Sequence, residues 1–136
     1  MVEISRNSNR ITVEGDLRDF HYLLAQIHQC IEVAGYNDVI LDMSACTSAF
    51  QNSMLSVCAQ VAAYRKSGVN FSLVPPQVST LSNLFKNTNW AHFLDPLQFN
   101  LSNFRGHTRI AATQYQSPEE QGAAVNRIVN VMLGAL

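Results

Sequence analysis

Two apolar runs constrain this chain more than any other feature. Val39-Ile40-Leu41, continued through Asp42 to Met43, and the stretch Val69 to Val74 each read as a buried strand. Continuous runs of this kind belong to strands covered on both faces, as in a parallel or mixed sheet. Between them Met54, Val57, Cys58, Val61 and Tyr64 recur at helical spacing, which marks one buried helix face. Strand, helix, strand implies a crossover connection and a sheet with helices packed against it. Arg65 and Lys66 suit the last turn of that helix, and Gly68 stops it. Pro75-Pro76 ends the second run, because proline cannot continue a ladder.

The flanking segments extend the pattern. Val2 to Ser5 and Ile11 to Val13 are short strands joined by Arg6-Asn7-Ser8-Asn9-Arg10, a hairpin with asparagine at turn positions. Gly15-Asp16 breaks the second strand, and Asp16 is placed to cap a helix. The apolar face of that helix is Phe20, Leu23, Leu24, Ile27, Ile31 and Ala34, and Gly35 ends it. Val78, Leu81, Leu84 and Phe85 predict a short amphipathic helix after the prolines. Phe93-Leu94 reads as a strand, residues 97–116 as a linker or irregular crossing with Ile110 to Tyr115 as strand, and 117–136 as a helix. Ser117, Pro118 and Glu120 form its capping box. Its stripe of Val125, Ile128, Val129, Met132, Leu133 and Leu136 still runs at the last residue and needs a cover.

Composition narrows the function classes. Nine Lys+Arg stand against ten Asp+Glu in 136 residues, for a net charge of -1 and no basic block, so nothing forms a nucleic-acid footprint. No apolar run is long enough for membrane insertion, and MVEISRNSNR lacks a signal-peptide core, so a cytoplasmic location is expected. Cys30, Cys46 and Cys58 form no disulfide framework or zinc pattern. Cys30 and Cys58 sit in helical patterns as small buried thiols. No metal, nucleotide or other cofactor motif is present.

Between the first apolar run and its helix lies SACTSAFQNS. As a strand-to-helix loop it sets hydroxyls beside the free N–H groups of a helix start, where a phosphate would be stabilised. Ser48 and Ser53 are the candidate phosphorylation positions, with Thr47 behind them. The competing reading is that Asn52 or Ser53 simply caps the helix. A cysteine-dependent enzyme using Cys46, with a base from His21, His28, His92 or His107, is the distant alternative, since no spacing links thiol to base.

The order of elements and these residues resemble the STAS domain, the fold of bacterial anti-sigma-factor antagonists, over residues 1–96. Asp42-Met43-Ser44 matches the family's D-[LM]-S strand end. Gln51-Asn52-Ser53-Met54-Leu55 falls, with one extra loop residue, where the family has an acidic residue, a phosphorylatable hydroxyl, Ser/Thr, Gly and Leu. Gln51 and Asn52 depart from that pattern, and Ser53 lies one place beyond the switch position. The resemblance implies an α/β fold with a mixed sheet of four to five strands, helices packed against it, and a C-terminal amphipathic helix. It implies a non-catalytic regulatory module that binds a protein partner through Gln51, Asn52, Ser53 and Met54. The Val78 helix would adjoin this docking face. The segment from Thr113 onward resembles the lead-in to a histidine-kinase-like ATPase domain, so the partner would be an anti-sigma-like kinase or the protein's own ATPase domain. A phosphorylation-switched antagonist and a subunit of a lipid-transport assembly are the variants. The C-terminal stripe would fold back or form a homodimer.

Overall fold

The computed structural model describes residues 2–102 of the chain. The expectations for His107, Ile110–Tyr115, the 117–136 helix and a dimer through it lie outside the described residues.

Strand β1 (Glu3–Asn7) and strand β2 (Arg10–Leu17) form an antiparallel hairpin in which Asn7 faces Arg10. The turn is therefore only Ser8-Asn9, and Ser8 takes the left-handed conformation at φ 56°. Strand β2 runs four residues beyond the expected end. Gly15, at φ 85°, stands where the register of β2 against its next partner shifts, and Asp16 and Leu17 continue pairing beyond it. Asp16 consequently caps no helix. Helix α1 (His21–His28) starts later, with the Asp19 carboxylate accepting the His21 N–H at 2.9 Å.

Helix α1 widens into a π-helical stretch, Gln29–Val33, before Gly35 ends it at φ 81°. Leu23, Ile27 and Cys30 are buried, whereas Ala34, expected on the same face, is exposed. Strand β3 (Asp38–Asp42) then enters the sheet parallel to the first half of β2, Ile11 opposite Leu41. The presumed loop after it contains strand β4 (Cys46–Ala49), which pairs parallel with the second half of β2. Cys46 faces Gly15 and Ser48 faces Asp16, so Thr47 is the extra residue of a bulge on β4.

Helix α2 (Gln51–Lys66) crosses back to strand β5 (Asn70–Val74), which lies parallel to β3 in full register. Helix α3 (Ser79–Asn87) and the short helix α4 (Trp90–Leu94) follow, and α4 replaces the strand expected at Phe93-Leu94. Asn89, left-handed at φ 68°, makes the sharp bend that allows two helices here. Trp90 then sits edge-on to Phe85, with ring centroids 5.4 Å apart.

The described chain is thus α/β, with a mixed five-stranded sheet ordered β1-β2-β3-β5 and β4 beside β2. Ile11, Val13, Val39, Leu41, Phe71 and Leu73 join Leu23, Ile27, Met54, Val57, Phe85 and Trp90 in one core. The strands are covered on one face rather than two. Ser5, Thr12, Ile40 and Ser72 are exposed or half-buried on the other. Beyond α4, Phe99 N–H donates to the Asp95 carbonyl at 3.0 Å and Ser102 N–H to Asn89 Oδ1 at 2.7 Å.

Candidate functional site

The candidate site is the head of α2, where β2, β3 and β4 end. Asp42, the last residue of β3, fixes the exit of the chain. Its Oδ1 accepts from Ser44 N–H at 3.0 Å and from the Ser44 hydroxyl at 2.6 Å. Its Oδ2 accepts both Arg10 Nε, at 3.1 Å, and Arg10 Nη2, at 2.7 Å. Burial works to raise the Asp42 pKa, but the bonds from Ser44 and Arg10 outweigh it and hold the carboxyl below the usual carboxylate range. The next contact is Gln77 N–H to the Ser44 carbonyl at 3.1 Å, which ties the chain before α3 to this junction.

Asp16 organises the other side. Its Oδ1 accepts the Ser48 hydroxyl and its Oδ2 accepts Arg18 Nε at 2.6 Å. The Ser48 bond first, then Arg18, lower the pKa of Asp16. The Arg18 guanidinium, largely in solvent, lies 5.1 Å above the Phe50 ring, within cation–π range. The Arg18 carbonyl accepts the Ser53 hydroxyl at 2.5 Å. The turn after β2 is therefore clasped to the head of α2 from both its side chain and its backbone.

Phe50 itself is the N-cap of α2, in extended conformation (φ -108°, ψ 146°), and supplies no side-chain hydrogen bond to the helix start. Neither Asn52 nor Ser53 caps the helix as expected, because both already lie within its first turn. Gln51, Asn52, Ser53 and Met54 are thus helical rather than a loop. Gln51 is half-buried and Asn52 exposed, its carbonyl accepting the Ser56 hydroxyl at 3.2 Å. Ser53 is 1% exposed and Met54 belongs to the core. Ser48 is half-buried on β4 and Thr47 exposed beside it. Around this head Phe50 and Leu55 are each 41% exposed and Val78 42%.

The residues missed in the sequence are Asp16, Arg18 and Phe50. Phe50 carried a signal: one aromatic between a polar stretch and a helical period. Asp16 and Arg18 carried none, since the partners that join them to the head of α2, Ser48, Phe50 and Ser53, lie more than thirty residues away.

Cys46 is buried, its Sγ donating to the Ser48 carbonyl at 3.3 Å, and burial pushes its thiol up to about 11. A thiolate there is disfavoured at neutral pH. Cys30 and Cys58 are buried free thiols, and burial pushes Cys58 up to about 12. His28 faces the Tyr64 hydroxyl, at 3.4 Å, and His92 the Phe99 carbonyl, at 2.9 Å, while His21 stacks near Phe20. Among the described residues no three His, Cys, Asp or Glu side chains gather as metal ligands, and no helix is long and apolar enough to cross a membrane.

No protein-family model matches the chain, and no curated protein matches it significantly.

Proposed function

We propose that this is a non-catalytic regulatory module of the STAS, anti-sigma-antagonist type that docks a protein partner on the head of α2. The observation that carries the reading is the exposure of Phe50 and Leu55 on either side of a first turn that is held from below by the bonded Ser53 and the buried Met54. Rigidly held, half-exposed aromatic and aliphatic groups beside polar neighbours are what a binding hot spot uses. Asp42-Met43-Ser44 at the end of β3, followed by α2 on a mixed sheet with helices on one face, supports the family assignment. The partner is a histidine-kinase-like ATPase domain, in an anti-sigma-like kinase or in the same polypeptide.

The proposed contact set differs from the one the resemblance implies. Asn52 and the outer edge of Gln51 are available to a partner, with Phe50, Leu55 and Val78 as apolar neighbours. Ser53 and Met54 act from below, holding the helix turn in place.

The test is binding of a purified histidine-kinase-like ATPase domain to the full chain and to Phe50→Ala, Leu55→Glu and Asn70→Asp, the last at the far end of β5. Affinity weakened about tenfold or more by the first two and unchanged by the third supports the reading. Equal affinity for all variants, or no binding to any, overturns it.

A phosphorylation-switched form has one favourable observation, the half-buried Ser48 hydroxyl against Asp16. A phosphate there would bring about -1.5 to -2 charges against that carboxylate and compete with it for Arg18. Releasing Arg18 would free Phe50. Phosphorylation of Ser53 would require the first turn of α2 to open, because its hydroxyl is buried on the Arg18 carbonyl. Intact mass after incubation with the partner kinase and ATP, compared between the native chain and Ser48→Ala, decides this form.

A further inference from the structure

Strands β1 and β5, at the two ends of the β1-β2-β3-β5 order, are protected by different means. Strand β1 carries Glu3 and Arg6, charges that discourage an added strand. Strand β5 reads Asn70-Phe71-Ser72-Leu73-Val74, with no charge, proline or bulge, and would by itself be an open template for pairing. Its outward groups are nevertheless occupied at Leu73. The Leu73 N–H donates to Asp95 Oδ2 at 3.0 Å, and the Leu73 carbonyl accepts Gln98 Nε2 at 2.9 Å. A residue in an extended strand points its N–H and C=O to the same side, and an added strand engages both. Two side chains from one turn make the bonds that a neighbouring strand would make.

That turn is itself held firmly. Asp95 is 6% exposed, and its N–H donates to the Ala91 carbonyl at 2.9 Å. Just before it, Arg65 donates to the carbonyls of Phe93, at 2.8 Å, and Leu94, at 2.9 Å. A buried carboxylate is a costly way to cover a strand edge if covering were all that was needed, since apolar side chains would do it without desolvating a charge. Its distinctive capacity is to satisfy a backbone N–H.

We infer that Asp95 and Gln98 serve as a strand substitute that keeps β5 from pairing with the β5 strand of a second copy of this chain. Withdrawal of the turn would expose a latent strand-addition edge.

The experiment uses the full chain. Molar mass by light scattering and amide exchange at Leu73 are measured for the native protein, Gln98→Ala, Asp95→Ala/Gln98→Ala, and that double variant with Ser72→Lys added. The expected results are exchange at Leu73 faster by about tenfold or more in the double variant, a concentration-dependent rise in its mass above the native value, and reversal of that rise by Ser72→Lys. A folded double variant with native mass overturns the inference, and so does association that Ser72→Lys leaves unchanged. Should the double variant fail to fold, Gln98→Ala decides, since Gln98 is exposed and its loss spares the buried carboxylate. Raised association sustains the inference, and native mass overturns it.

Discussion

At its C-terminal end α2 turns inward. Arg65 reaches across to the last carbonyls of α4, Gly68 closes the helix at φ 98°, and Asp95 lies beyond, bonded to β5. At its N-terminal end the same helix stays open. Phe50 offers no side-chain cap, Arg18 stacks on it from solvent, and Phe50 and Leu55 remain 41% exposed. Both ends begin with unpaired backbone groups, as every helix does. One end spends its polar side chains on the domain's own backbone and leaves little to offer a visitor. The other fastens its first turn from below, through Ser53, and leaves an apolar rim outside. Substitutions at the foot should therefore register in stability, and those at the rim in association.

The largest effect should come from the foot. Trp90→Ala removes a fully buried ring packed on Phe85 beneath α2, and a loss of about 3–5 kcal/mol is expected in chemical denaturation. Arg65→Ala leaves the Phe93 and Leu94 carbonyls without their donor, for a cost of about 1.5–3 kcal/mol. A cost near zero would mean that the foot is as loosely built as the head. Ser53→Ala, beneath the rim, should cost about 1 kcal/mol through loss of its bond to the Arg18 carbonyl. Leu55→Glu should change stability by no more than about 0.5 kcal/mol while weakening partner binding. If it destabilised as much as Arg65→Ala, the contrast between the two ends would fail.

The finest test is one of slope rather than size. The Asp42 pKa is lower in the folded chain than in the unfolded one, so its contribution is fully present above the unfolded value, about 3.9. It is lost as pH falls through the lower folded value, because the unfolded state then binds the extra proton. Denaturation midpoints of the native chain should decline below about pH 4 more steeply than those of Asp42→Asn. Parallel curves would remove Asp42 from the account of the junction.

Much of the frame was legible because burial repeats locally. Val39 and Leu41, and Phe71 and Leu73, lie in the two runs read as buried strands, the Met54–Val61 face and Leu81 with Phe85 declared themselves by spacing, and all are buried. The error at Phe93-Leu94 has a local cause: two apolar residues before Asp-Pro fit a strand end as well as one helical turn. The error at Gly15-Asp16 does not. Glycine followed by aspartate is a strand-breaking signal, and only the arrival of Cys46–Ala49 alongside carries β2 through that pair.

The site was less legible than the frame for the same reason. Its polar stretch was visible, and so was the helix after it, but a hydroxyl names its partner only in three dimensions. Ser48 finds Asp16 and Ser53 finds the Arg18 carbonyl, 32 and 35 residues away. By itself the sequence determined an α/β chain with crossover helices, a polar junction before α2 and no charge pattern for nucleic acid, because these follow from composition and from periods of two to four residues. Tertiary structure alone decided that part of the junction is a strand, that Ser53 faces inward and that Phe50 faces out. Strand pairing and side-chain burial at such a place depend on which distant backbone is free to accept a partner, and no local spacing encodes that.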